Sequence, residues 1–481
     1  MPDTSIFVAL VATGGAIAAG AIALARPRLA FGILFLLASF TRATLETPLG
    51  TMRVEMPAIA VVAVVLLIGG RFRSLLHLPR WTIAVAISFG LYLAVLALSS
   101  AFVAPGTAQS LRMVAWLATS MTGGVVAFIL IRPQPDTSME PLAFAGAFNG
   151  AVGIMLAVAF LAAGPGFDLG IQDPTTILPR VTALGWEANL YASFLAMTSF
   201  FALEATRGRQ RAAALTMLAL ILLGFPLGVT RGAYIGLAAG AVGYFLVRTR
   251  AERRLGDLPR LGIAAATLLA IGVVASNVLL PNPVERQSAQ VTPPVPTASP
   301  ATPGSLGPAS GPPAAPGGSG SGPGTASPAA TPPVLALEPY PDTIAFRLER
   351  VPIALNDLLR SPLIGFGAES FGQNHPDRYA GPGPDHIAIL AIVAPYEAGI
   401  IGASGLAIGF ILLLIALWRT ARRSADLGDP RTAGIAAAFF GSLICILVSY
   451  QVTNAVHLAV NWVVIGAAVA LTSRGVSPDP Q

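Results

Sequence analysis

Apolar and polar residues along this chain come in blocks rather than in a short alternation. Runs near 6–25, 29–44, 56–70, 81–103, 113–131, 141–163, 188–203, 212–229, 232–247, 261–280, 387–417, 433–452 and 456–472 are apolar almost throughout. A helix that crosses a bilayer needs about twenty such residues. The pattern therefore predicts an all-α polytopic membrane protein with about 12–13 transmembrane helices. The second and third runs are short, and the long eleventh can be two pieces, because Glu397 and Gly399 interrupt it. The first run, Ile6 to Ala25, has no basic region before it, so it reads as a span and not as a cleavable signal peptide.

One stretch outside these blocks keeps a periodicity of its own. In DTIAFRLERVPIALNDLLRSPLIGFG, the residues Ile344, Leu348, Val351, Leu355 and Leu358 recur at helical spacing and give one apolar face. Pro352 fits the first turn of a helix better than an interior position. Ser361-Pro362 then stops the helix, and Gly365 and Gly367 permit a tight turn. The chain thus divides into an N-terminal transmembrane bundle (1–280), an insertion (281–340), a folded cap with short helices (341–386) and C-terminal transmembrane helices (387–474). The insertion is built from Pro, Ala, Gly, Ser and Thr. It cannot bury enough apolar surface to offset chain entropy, so disorder is expected there, as in a tolerated insertion.

Composition agrees with the blocks. Of 481 residues, 54% are hydrophobic and 11% charged, whereas soluble domains carry about a quarter charged residues. All 29 basic residues are arginine. The net charge of +6 would suggest nucleic acid in a soluble protein; here it reads as loop anchoring at a lipid bilayer, with no nucleic-acid partner. The single cysteine, Cys445, lies in an apolar run, which excludes a disulfide framework and a cysteine metal site.

Arginine placement orients the chain. With thirteen spans, one set of alternate loops holds nineteen arginines, and the short loops opposite hold Arg42, Arg53, Arg112, Arg180 and Arg231. The positive-inside rule puts the rich side in the cytoplasm. The N-terminus and the 341–386 cap then lie outside it and the C-terminus inside.

Five polar positions stand out at outer membrane ends: Arg180, Arg231, Arg347, His386 and Glu397. Singly, an arginine can bind lipid headgroups, a histidine can cap a helix, and Glu397 can pair with an arginine. Yet Glu397 is the only acidic residue in its apolar run, and ionisable groups at such depth are usually functional. Asn189 and Arg350 are further substrate-binding candidates; His375 and His457 are weaker candidates that read as loop and helix-end residues. Converging guanidiniums bind a diphosphate through bidentate, charge-assisted hydrogen bonds. A histidine beside them can take a proton from a hydroxyl nucleophile. The set suits glycosyl transfer from a lipid diphosphate to a hydroxyl, and no metal-ligand pattern or cofactor motif accompanies it. The competing reading is a transporter or flippase of lipid-linked oligosaccharide, which should place ionisable groups near the midplane and show two related halves. Neither is visible.

These residues carry a family likeness. Arg347 followed by Pro362-Leu363-Ile364-Gly365-Phe366-Gly367, then His386 followed by Glu397-Ala398-Gly399-Ile400-Ile401-Gly402, resembles the O-antigen ligase and O-antigen polymerase superfamily of bacterial membrane glycosyltransferases. Thr230-Arg231-Gly232 and Arg180 with Asn189-Leu190-Tyr191-Ala192 are weaker matches. Ile387 stands where the family usually has Asn, Val351 where Trp is common, and Ala188 where Pro is usual. The resemblance implies a GT-C-like, metal-independent, inverting enzyme of the bacterial cytoplasmic membrane with an extracytoplasmic site. A lipid-linked oligosaccharide donor would be held by Arg231 and Arg347, with Arg180 nearby. His386 would activate a glycan acceptor, with Glu397 a second catalytic candidate.

Overall fold

The computed structural model describes residues 4–41, 44–47, 50–164, 167, 169–172, 180–185, 187–208, 210–252, 262–263, 266–267, 270–271, 274, 347–376, 387–451, 453 and 455–474. Helices α1 (Thr4–Ile22) and α2 (Pro27–Ala38) lead into a hairpin of β1 (Thr44–Thr47) and β2 (Gly50–Arg53), in which Thr44 lies opposite Arg53. Next come α3 (Glu55–Ile68), α4 (Arg80–Phe102), α5 (Thr107–Ile131) and α6 (Met139–Ala163). A second hairpin, β3 (Ile171–Gln172) with β4 (Arg180–Val181), precedes α7 (Ala188–Ala205), α8 (Arg211–Gly224) and α9 (Arg231–Glu252). Two short helices, α10 (Arg350–Leu358) and α11 (Phe371–Asn374), form the cap. The chain continues with α12 (Leu390–Asp426), α13 (Pro430–Ser449) and α14 (Ala459–Arg474).

Among the described residues, six helical stretches are long and apolar enough to cross a membrane: Arg80–Phe102, Thr107–Ile131, Pro135–Ala163, Arg211–Gly228, Leu390–Asp426 and Pro430–Ser449. A 3-10 turn at Arg71–His77, bent 79° from α3, makes a broken seventh. The molecule is thus a helical, multi-pass membrane protein. Three other expected spans are present as shorter apolar helices, at Leu10–Ile22, Pro27–Ala38 and Ala459–Arg474. The run at 29–44 is helical only to Ala38, because the chain turns there into the β1–β2 hairpin. The runs at 188–203 and 232–247 fold as α7 and α9 but are not among the six. The expected helix at 261–280 lies mostly, and the 281–340 insertion wholly, outside the described residues.

The cap helix forms, but its expected apolar face is not the one it buries: Leu348 and Leu355 are exposed, Val351 and Leu358 are half-buried, Ile344 lies outside the described residues, and α10 buries Arg350, Ala354 and Asp357. Pro352 sits in the first turn of α10, where its missing N–H would have no intrahelical partner in any case. Gly365 and Gly367 both take positive φ, 73° and 90°, in the turn that follows.

The bundle packs α13 on α9, α12 on α4, and α14 on α5. Helices α7 and α14 are buried on nearly every face, while large apolar side chains such as Ile17, Ile87, Met155, Val242 and Ile411 stand exposed. Acyl chains are as apolar as leucine, so such side chains suit lipid, and close helix contact relies on small residues instead. At the α5–α14 crossing, a Cβ on Gly466 would fall on the carbonyl of Gly124.

Candidate functional site: a polar cavity at a broken helix

The site begins with a discontinuity in α12. Gly399 takes φ 60° and ψ −177°, a conformation essentially confined to glycine, and the helix breaks there. Broken helices leave amides and carbonyls without partners, which lipid cannot satisfy. The cap supplies them. The amides of Phe366 and Gly367 donate to the carbonyls of Tyr396 and Glu397, each at 2.9 Å. In return the amides of Ile400 and Ile401 donate to the carbonyls of Pro362 (2.8 Å) and Leu363 (3.3 Å). Ser99 Oγ of α4 also donates to the Glu397 carbonyl, at 2.9 Å. The Pro-Leu-Ile-Gly-Phe-Gly turn is therefore the missing half of the ladder at the break.

This stitching fixes Glu397. Its side chain is buried, and Oε1 accepts the backbone amide of Glu369 at 2.8 Å. Glu369 itself is held at φ 51°, an uncommon state for a residue with a side chain. The cap behind it is tied by Ser110 Oγ donating to the Ala368 carbonyl (2.6 Å) and the Ala368 amide donating to Ser100 Oγ (3.0 Å). Further back, His375 Nε2 lies 2.6 Å from Asp357 Oδ2, and Asn374 donates to the Tyr396 hydroxyl at 2.9 Å. His375 thus serves the packing of α10 and α11 against α12.

Glu397 faces a cavity of about 400 Å³. Its polar walls come from segments far apart in the chain: Arg53 of β2, Arg112 and Trp116 of α5, Glu187 and Asn189 at the start of α7, Arg347 and Glu369 of the cap, and His457 between α13 and α14. Such a volume, with a few convergent polar groups, is typical of a small-molecule or headgroup site.

Arg347 is half-buried, and desolvation lowers its pKa from the usual guanidinium value. The Glu187 carboxylate opposes that shift and the like charge of Arg180 adds to it, so these three side chains share one field. The β3–β4 pairing, Gln172 opposite Arg180, holds Arg180 in that neighbourhood. Arg53 is buried, and its guanidinium lies 4.8 Å over the ring of Trp116. Burial lowers its pKa, opposed by Glu55 and Glu369. Among the described residues, its Nη1 atom and both carboxylate oxygens of Glu55 have no hydrogen-bond partner. Burial, with the nearby charge of Arg53, pushes the His457 imidazole down to about 3, so the ring is neutral at physiological pH.

Of the residues singled out from the sequence, Arg347, Glu397 and Asn189 line this cavity together, with Arg180 close enough to act on Arg347. Arg231 does not line it: it is exposed at the first position of α9, next to Thr230, whose hydroxyl donates to Asn189 Oδ1 at 3.2 Å. Arg350 is buried in α10 and is not part of the lining. His386 lies outside the described residues; Ile387, which follows it, lines the cavity. The structure adds Arg53, Arg112, Trp116, Glu369 and His457. The signal for two of them was in the arginine distribution, since Arg53 and Arg112 fall in the arginine-poor loops with Arg180 and Arg231. Among the described residues, no group of three or more His, Cys, Asp or Glu side chains is placed to hold a metal ion.

No family model matches the chain, and no curated protein matches it. The fold and the cavity define a helical, multi-pass membrane protein with a charged site at a broken helix.

Proposed function

We propose that this protein is a glycosyltransferase of the O-antigen ligase and polymerase type, acting at the extracytoplasmic face of a bacterial cytoplasmic membrane. In this reading the acceptor hydroxyl oxygen attacks the anomeric carbon of a saccharide carried on undecaprenyl diphosphate. The bond from that carbon to the phosphate oxygen breaks, undecaprenyl diphosphate leaves with the bonding electrons, and the hydroxyl proton passes to a base. Arg347, assisted by Arg180, holds the diphosphate, because guanidiniums match phosphate geometry and stabilise charge as it develops on the leaving group. His386 takes the proton. Glu397, pinned by the Glu369 amide, orients the acceptor side of the cavity. The product extends or attaches a surface polysaccharide.

The observation that carries this reading is the convergence of Arg347, Asn189 and Glu397, from three separate segments, on one cavity with further arginines in its wall. A site outside the cytoplasm is supported by the nineteen arginines in the loops opposite.

The test is reconstitution in lipid vesicles with the lipid-linked saccharides extracted from the producing cell, followed by mass analysis of the glycan. Wild type should yield a lengthened or transferred glycan and free undecaprenyl diphosphate. Arg347→Ala and His386→Ala should each lose product about 10²-fold or more while remaining in the membrane. Normal product from both variants would refute the site, and donor moved across the vesicle wall without product would identify a flippase instead.

A further inference from the structure

The cavity has two unlike ends. At the Arg347 end, the Glu187 carboxylate opposes the burial-driven lowering of the Arg347 pKa and the like charge of Arg180 adds to it, a setting that suits a diphosphate. At the other end, the carboxylates of Glu55 and Glu369 oppose the lowering of the Arg53 pKa that burial causes. A second phosphate there would meet the carboxylates of Glu369 and Glu397.

What that end offers is hydrogen bonding. Arg53 is buried in the cavity wall, and among the described residues its Nη1 has no hydrogen-bond partner. A buried donor left unpaired is costly, so an Nη1 waiting for a ligand is a better account than an idle one. Beside it stand the Glu369 carboxylate, which accepts, and the His457 imidazole, which accepts through its unprotonated nitrogen. Trp116 closes the wall with an aromatic surface under the Arg53 guanidinium. A donor, two acceptors and an aromatic edge match a ring carrying several hydroxyls.

We propose that Arg53, Trp116 and His457 form a subsite for a neutral sugar ring of the acceptor glycan, with His457 accepting a hydrogen bond from one of its hydroxyls. The proposal rests on the glycosyl-transfer reading and deepens it, since it separates an acceptor end from the diphosphate end of one cavity. Three regions of the fold build the subsite: β2, α5 and the α13–α14 connection. His457 is fixed from α5, where Ser120 Oγ donates to its carbonyl at 2.7 Å.

The experiment uses the full-length protein in nanodiscs. The donor is the cell's own lipid-linked saccharide fraction, and the acceptor is an oligosaccharide series cut from its surface polysaccharide. Two quantities are read: the acceptor concentration for half-maximal transfer, and the affinity for donor by displacement of fluorescent undecaprenyl diphosphate. His457→Phe, which keeps the ring volume without an acceptor atom, should raise the half-maximal acceptor concentration about tenfold and leave donor affinity within twofold. His457→Gln, which restores an acceptor atom, should recover part of that loss. Arg347→Ala should do the reverse, weakening donor binding and sparing acceptor dependence. The inference is overturned if His457→Phe keeps wild-type acceptor dependence, or if it loses donor affinity as Arg347→Ala does. Wild type forming no product from either fraction is a different result: it removes the glycosyl-transfer reading, and the subsite with it.

Discussion

Gly399→Ala is the sharpest perturbation of the site's framework. The new Cβ would fall on the carbonyl of Leu363 and the amide nitrogen of Ile364. These are backbone atoms of the inserted turn, and no rotamer change can clear them. The turn must retreat, and four inter-segment hydrogen bonds go with it: Phe366 to Tyr396, Gly367 to Glu397, Ile400 to Pro362 and Ile401 to Leu363. At about 1 kcal/mol each, their loss amounts to about 4 kcal/mol. The conformation of Gly399 itself adds about 1–3 kcal/mol for any residue with a side chain. Gly428 is the control: its φ is 74°, but a Cβ there meets nothing within 4 Å, so Gly428→Ala bears only the backbone strain of about 1–2 kcal/mol. The two variants should therefore differ by about 4 kcal/mol, close to a thousandfold in the opening equilibrium. Hydrogen exchange of purified protein reads this locally. The amides of Phe366, Gly367, Ile400 and Ile401 should lose about three decades of protection in Gly399→Ala and keep it in Gly428→Ala. Protection within tenfold of wild type in Gly399→Ala would refute the view that the cap turn completes the broken helix.

Two further predictions concern buried charge. At the end of α7 away from Asn189, Glu204 and Arg248 form an ion pair at 3.3 Å with both side chains at most 4% exposed, and the Tyr244 hydroxyl donates to Glu204 at 2.7 Å. Arg248→Leu should cost about 3–5 kcal/mol in thermal unfolding, because it removes the guanidinium that opposes a buried carboxylate. Adding Glu204→Gln should recover much of that loss; a double variant as unstable as the single one would contradict the account. His457 titrates near 6.5 when unfolded and about 3 when folded, so the unfolded chain binds more protons between those values. Its contribution is whole above pH 6.5 and is lost as pH falls, at up to about 1.4 kcal/mol per unit. Against wild type, His457→Phe should gain relative stability between pH 7 and pH 5, and parallel melting-temperature curves would exclude an imidazole held neutral by the fold.

The chain by itself determined the class of protein and much of the site's sequence logic. Blocks of apolar residues with 11% charge leave no soluble alternative, because about twenty apolar residues crossing a bilayer is a property of local composition. The Pro-Leu-Ile-Gly-Phe-Gly turn and the Glu-Ala-Gly break were legible for the same local reason, since proline and glycine constrain their own backbone. That the two segments lock together, carbonyl to amide, was not legible. Each is about thirty residues from the other, and only packing shows that one supplies the partners the other lacks.

Which helices are enclosed was likewise decided by the tertiary structure. In water, an amphipathic stripe marks the buried face, but lipid is as apolar as a protein core, so that contrast vanishes within a span. Helices α7 and α14 are apolar runs like their neighbours, yet they are the ones surrounded by protein. The arginine-poor loops contained Arg53 and Arg112 in plain view, but a β-hairpin and a helix crossing were needed to bring them to one wall beside Trp116 and His457. Distances between segments this remote arise from contacts that no local pattern encodes.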